Sequence, residues 1–158
     1  MERLLTLDNL ATLGAQYAAS GKHLVLTNGC FDLLHTGHVR YLQQARDLGD
    51  ALIVAVNGDA SVRELKGPTR PINSESDRAE VLAALRCVDH VVIFEDKRVT
   101  EVIRKLKPSI YAKGGDYTPE TLDPDERAAL EEVGTEVRIL QLVPGRSTTS
   151  ILDRAKHP

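Results

Sequence analysis

Six consecutive apolar residues, Ala51-Leu52-Ile53-Val54-Ala55-Val56, constrain the fold of this chain more than any other stretch. A short continuous apolar run, stopped here by Asn57-Gly58-Asp59, reads as a strand buried on both faces. Leu24-Val25-Leu26, His90-Val91-Val92-Ile93-Phe94, Ser109-Ile110-Tyr111-Ala112 and Val137-Arg138-Ile139-Leu140 read as four more strands. Segments of helical spacing separate them. Strands alternating with helices specify a parallel sheet covered on both faces by right-handed crossovers.

Caps and stops delimit the helices. Asp8 or Asn9 can cap a first helix through Ala19, with Leu10, Leu13 and Tyr17 on one face and Gly21 as its stop. After His38, residues Val39, Leu42, Ala45 and Leu48 share a face, and Gly49 ends that helix. Glu64 to Ser74 reads as a basic loop carrying Lys66 and Arg70. Ser74 with Asp77 has the form of a capping box, and the helix beyond is expected to bury Val81, Leu82 and Leu85. Asp96 can cap a helix that turns Val99, Val102, Ile103 and Leu106 inward. A short helix ends near Val133, and Ser147 or Thr148 opens a last one.

Length and charge narrow the function. At 158 residues the chain suits one domain, 1–158, with a sizeable core. A net charge of −3 gives no support to a nucleic-acid or membrane partner held by bulk electrostatics. Trp is absent, which argues against stacking platforms for single-stranded nucleic acid. Cys30 and Cys87 have neither metal-ligand spacing nor a disulfide framework, and the first residues lack a signal-peptide pattern, so a reducing cytoplasm is expected.

Four polar stretches directly follow strands: Asn28 to His38, Asn57 to Asp59, Lys113 to Tyr117, and Arg146 to Thr149. In a parallel sheet the strand C-termini share one edge, so these segments would line one cleft. Cations and helix N-termini with few carboxylates describe a polyphosphate pocket. A Walker loop, a G-x-G-x-x-G turn, a zinc motif and a serine elbow are all missing.

The stretch Gly29-Cys30-Phe31-Asp32-Leu33-Leu34-His35-Thr36-Gly37-His38 resembles the G-x-F-D-x-x-H-x-G-H signature of the H-x-G-H nucleotidyltransferases, also called cytidylyltransferase-like. Within that superfamily the chain is most similar to the D-glycero-β-D-manno-heptose 1-phosphate adenylyltransferases, the ADP-heptose-forming branch. The similarity runs through Thr27 to Asp32, Val56 to Val62, Leu65 to Pro68, Lys113 to Tyr117 and Ser147 to Thr149. It implies a Rossmann-like, doubly wound five-stranded parallel sheet in the order 3-2-1-4-5. Such domains often follow a sugar kinase in one polypeptide; this chain resembles the stand-alone transferase and is expected to act so, with pairing as a homodimer possible by analogy.

The resemblance assigns roles residue by residue. His35, His38 and Lys66 would be catalytic, stabilising charge on the phosphates. Cys30, Phe31, His35, His38, Lys113, Gly115, Asp116, Ser147, Thr148 and Thr149 would hold the nucleotide, with Arg146 able to join them. Asn57, Asp59 and Arg70 would meet the sugar phosphate, although an Asn-Gly-Asp turn also explains itself and Arg70 could be a surface charge. Asp32 reads as fixing its turn through backbone amides, and Cys30 as a small buried residue. ATP is the implied substrate, with Mg²⁺ carried on the triphosphate rather than in a protein cage. A cytidylyltransferase for glycerol 3-phosphate or a related alcohol phosphate shares these motifs, and a non-catalytic nucleotide-binding subunit is a reading from another class.

Overall fold

The apolar runs do form strands, and their alternation decides the layers. The computed structural model describes residues 3–115, 117–142 and 144–157. Its strands are β1 (Leu4–Leu5), β2 (Leu24–Gly29), β3 (Ala51–Asn57), β4 (His90–Phe94), β5 (Ile110–Gly114) and β6 (Glu136–Leu140). All pair in parallel, in the order β1-β4-β3-β2-β5-β6. Every residue of β3 is buried, as a central strand covered on both faces requires.

Successive side chains leave the sheet on opposite sides. Leu24, Leu26, Ala51, Ile53 and Ala55 pack with α1 (Leu10–Ala19), α5 (Thr100–Leu106) and α6 (Pro124–Val133). Val25, Leu52, Val54 and Val56 pack instead with α2 (Thr36–Asp47) and α4 (Glu75–Ala83). Short α3 (Asp59–Lys66) follows β3, and α7 (Thr148–Lys156) follows β6.

The five expected strands therefore keep the order 3-2-1-4-5, and a sixth extends the sheet. Leu4 and Leu5 pair with Val91 and Val92 at the edge. Two residues carry no periodicity of their own, so only the tertiary pairing reveals β1. The helix after Ser74 is turned from its expected face: Val81 is 51% exposed, while Arg78, Ala79 and Leu82 are buried. Lys66 ends α3 rather than lying in a loop, and α5 starts at Thr100 rather than beside Asp96. The first helix is preceded by a 3-10 turn, Leu7–Asn9, in which Asn9 Oδ1 accepts the Thr6 amide at 2.9 Å.

The chain turns to opposite layers at the centre of the sheet. From β2 it passes through α2 to β3, and from β4 it passes through α5 to β5 on the other face. β2 lies between β3 and β5. A crevice at the strand C-termini is the expected consequence of this reversal.

Candidate active site

The turn after β2 builds the centre of that crevice. Phe31 takes a left-handed backbone conformation, φ 48°, and its ring packs edge-on against His38 with centroids 5.5 Å apart. The chain then enters α2 with His35 as N-cap. A helix start leaves backbone N–H groups unpaired, and here imidazoles take two of the local ones. His35 Nδ1 accepts the Gly37 amide at 3.0 Å, and His38 Nδ1 accepts the His35 amide at 3.3 Å.

These bonds fix the tautomer. A neutral imidazole whose Nδ1 accepts must carry its proton on Nε2. Both rings are held neutral near pH 7. Burial lowers the His35 pKa, with Arg146 adding to it; burial, then His35, lowers His38 from 6.5 to about 4. The ring centroids lie 3.9 Å apart. The result is a pair of neutral N–H donors at the positive end of α2.

Around them lies a cleft of about 620 Å³. It gathers Asn28, Cys30, Phe31, His35, His38, Asn57, Lys66, Arg70, Lys113, Ser147, Thr148 and Thr149 from five segments distant in sequence. Lys97, Arg98 and Arg146 also line it. Of its carboxylates among the described residues, Asp32 is paired to Arg70 at 2.7 Å and Glu126 lies 3.7 Å from Lys113. Cations are thus in excess, the condition for binding a polyanion.

The residues expected to hold the nucleotide take specific positions. The Lys113 ammonium lies 4.7 Å over the Tyr117 ring, besides its approach to Glu126. Ser147 caps α7 by accepting the Ser150 amide at 3.0 Å, leaving its hydroxyl proton free to donate. The Thr148 hydroxyl donates to the Leu33 carbonyl, which joins the start of α7 to the histidine turn. Gly37 is where that junction is tightest: a Cβ there would lie 2.8 Å from the His35 ring and 2.9 Å from Arg146 Cβ. Burial raises the Cys30 thiol, so it has no thiolate chemistry to offer.

Some expected site residues lie elsewhere. Asp59 does not line the cleft; its carboxylate pairs with the Arg78 guanidinium at 2.9 Å. Asn57 lines the cleft, but its side-chain amide donates to Ser61 at 2.8 Å. Gly115, at φ 109°, is set back with its amide on the Leu140 carbonyl. Asp116 lies outside the described residues. Asp32 does not bond its own turn: it accepts the amides of Ile72 and Asn73, across some forty residues of chain.

Arg78, Glu126, Lys97 and Arg98 were not expected. Arg78 is 2% exposed and donates to the carbonyls of Cys30, Asn57 and Asn73. It precedes Leu82 by four residues, and Glu126 precedes Leu130 by four, so each lies on the inward stripe of its helix. A charged residue on such a stripe was the signal available. Lys97 and Arg98 lie on an irregular segment without period.

This geometry has relatives. The family described as cytidylyltransferase-like matches residues 26–154. The bifunctional protein HldE of Pelobacter propionicus is 54% identical over 147 residues, 93% of this chain and 30% of that protein. HldE of Wolinella succinogenes is 44% identical over 153 residues, 97% of this chain and 31% of that one. The chain therefore spans less than a third of the length of these relatives. The crystal structure of the lipopolysaccharide core biosynthesis protein from Thermoplasma volcanium superposes with a TM-score of 0.64 at 30% identity, covering 78% of this chain and 98% of that one. Pantoate-beta-alanine ligase from Francisella tularensis, at 13% identity and a TM-score of 0.54 over 97% of this chain and 77% of its own, shares the fold. With the family matched over most of its length and its signature histidines capping a helix at the sheet's reversal, the chain belongs to the cytidylyltransferase-like family.

Proposed function

We propose that this chain is a nucleotidyltransferase that joins ATP and D-glycero-β-D-manno-heptose 1-phosphate to give ADP-heptose and pyrophosphate. The observation that carries the reading is the pair His35 and His38, each with Nδ1 on a backbone amide and Nε2–H left to donate, in a cleft rich in cations. The relatives support it further: HldE is a bifunctional protein, and this chain matches 30–31% of its length at 44–54% identity.

A phosphate oxygen of the sugar 1-phosphate forms a bond to the α-phosphorus of ATP. The bond from that phosphorus to the β-bridging oxygen breaks, and pyrophosphate leaves with the electron pair. The nucleophile is already an anion, so no base is needed. What must be met is charge on the α-phosphate and the leaving group. His35 and His38 donate to the α-phosphate oxygens. Lys66, at the free end of α3, and Arg146 attract the leaving phosphates, with Ser147 and Thr149 at the start of α7 beside them. Lys113, Arg70 and Asn57 also line the cleft; in this reading Lys113 serves the nucleoside, and Arg70 and Asn57 serve the acceptor.

Mg²⁺ enters as part of the ATP substrate. Among the described residues there is no cluster of three or more His, Cys, Asp or Glu suited to a metal, and the cleft carboxylates Asp32 and Glu126 have cationic partners. Phosphate oxygens and water would supply its ligands. No helix among the described residues is long and apolar enough to cross a membrane. A cytoplasmic site of action is part of this proposal, with ATP as the substrate.

Pyrophosphate release measured with ATP or CTP against heptose 1-phosphate and glycerol 3-phosphate tests the reading. Turnover with ATP and the heptose phosphate is expected. Turnover with CTP alone would transfer the assignment to a cytidylyltransferase.

A further inference from the structure

One loop lining the cleft is held by a latch. Asp32 is buried three residues before His35, and its carboxylate accepts from Ile72 N at 2.8 Å, Asn73 N at 2.9 Å and Arg70 Nε at 2.7 Å. The Asn73 side chain returns a bond to the Asp32 carbonyl at 2.9 Å. Arg78 grips the same loop from below, through the Asn73 carbonyl at 3.0 Å and the Cys30 carbonyl at 2.7 Å. The loop after α3 is thereby fastened to the histidine turn at two points.

Arg70 is the part of the loop that faces the cleft. Its side chain is 17% exposed, against 1% for Asp32. Nε is consumed by Asp32, and among the described residues neither Nη group has a hydrogen-bond partner. A guanidinium presents its donors in a rigid fork, so fixing one edge aims the other. Holding the long side chain in place also removes rotamer freedom that binding would otherwise cost. A surface arginine needs no buried carboxylate to orient it; one that must meet an anion at a set distance from the α-phosphate does.

We propose that Asp32 is a positioning residue for the acceptor: it clasps Arg70 by Nε so that the Nη edge stands in the cleft as a fixed ligand for the acceptor's phosphate. This rests on the transferase reading above and deepens it. Because Asp32 and His35 share one turn, the group that binds the acceptor and the donors that bind the α-phosphate move as one unit.

Acceptor and ATP KM are to be measured for Arg70→Ala, Arg70→Lys, Asp32→Asn and the double variant Asp32→Asn/Arg70→Ala. Arg70→Ala should raise the acceptor KM tenfold or more and leave the ATP KM within twofold. Asp32→Asn should raise the acceptor KM at least fivefold, and the double variant should be within twofold of Arg70→Ala, since Asp32 acts through Arg70. A general structural role would instead raise both KM values or add its full factor to Arg70→Ala; either result, or an unchanged acceptor KM, overturns the proposal. If Asp32→Asn does not fold, Arg70→Lys decides: it keeps the charge but loses the Nε edge, and should raise the acceptor KM at least fivefold, whereas an unchanged KM overturns the latch. If the wild type releases no pyrophosphate with any acceptor, the transferase reading falls. The latch is then read from inorganic phosphate binding, which Arg70→Ala and Arg70→Lys should weaken at least fivefold; unaltered binding overturns it.

Discussion

Thr148 Oγ1 donates to the Leu33 carbonyl over 3.0 Å, so the last helix and the histidine turn are joined by one hydroxyl proton. That proton is not available to a phosphate, which divides the work of neighbouring residues: Thr148 fixes α7, and the proposed phosphate contacts fall to Ser147 and Thr149. Thr148→Val keeps the shape and removes the bond. It should cost about 0.5–1.5 kcal/mol of stability and raise the ATP KM severalfold. Urea melts and steady-state kinetics together check it; an ATP KM unaffected by the loss would dissociate the α7 junction from nucleotide binding.

His38→Ala removes a donor at the proposed α-phosphate position. Loss of one such donor typically costs about 2.7–4 kcal/mol of barrier, roughly 100- to 1,000-fold in kcat. ATP binding, shared among many groups, should change by only a few-fold. Isothermal titration with ATP alongside pyrophosphate release separates the two. Turnover within tenfold of wild type would remove His38 from the chemistry.

Stability should fall on mild acidification. Burial lowers the pKa values of His35, His38 and His90 in the folded chain, His38 to about 4. Between pH 6.5 and about 4 the unfolded chain takes up protons that the folded chain refuses, so stability is complete above pH 6.5 and declines below it. His90 adds to the effect from the opposite end of the sheet: its Nε2 meets Tyr17 Oη at 3.2 Å, while Nδ1 has no partner among the described residues. Urea midpoints from pH 7.5 to 4.5 should fall, and less steeply in His38→Gln. A flat profile would contradict the burial of these rings.

Arg78→Ala should be among the most damaging single changes in the molecule. It leaves three carbonyls without their donor and Asp59 without its cation. A buried acceptor left unpaired costs about 1–3 kcal/mol, so the lost carbonyl bonds should outweigh the loss of the Asp59 pair, whose carboxylate is 30% exposed. Arg78→Lys should recover little, since an ammonium cannot reach divergent acceptors as the fork does. Chemical denaturation measures both, and a loss under 1 kcal/mol for the alanine variant would show the network to be incidental.

The central strands were legible because continuous apolar runs have one stable home, the interior of a parallel sheet. The histidine turn was legible because strand, glycine, two histidines and helix occur in an order few folds share. What escaped was chemistry settled by distant partners. Asp59 looked like a ligand after β3 until Arg78, nineteen residues on, claimed it. Asp32 looked like a local turn former, yet its partners are forty residues away. Val81 looked inward because a helix wheel ranks valine above arginine; the carbonyls beneath α4 reversed that ranking.

The ring nitrogens that cap α2 have a thermal consequence. Each imidazole is aimed by an amide that exists in place only while the first turn of that helix is wound. Should that turn fray on warming, both donors would swing out of alignment together while the sheet beneath stayed folded. Catalysis in such a molecule would fade some degrees before the global melt, making turnover a thermometer for a single helical turn.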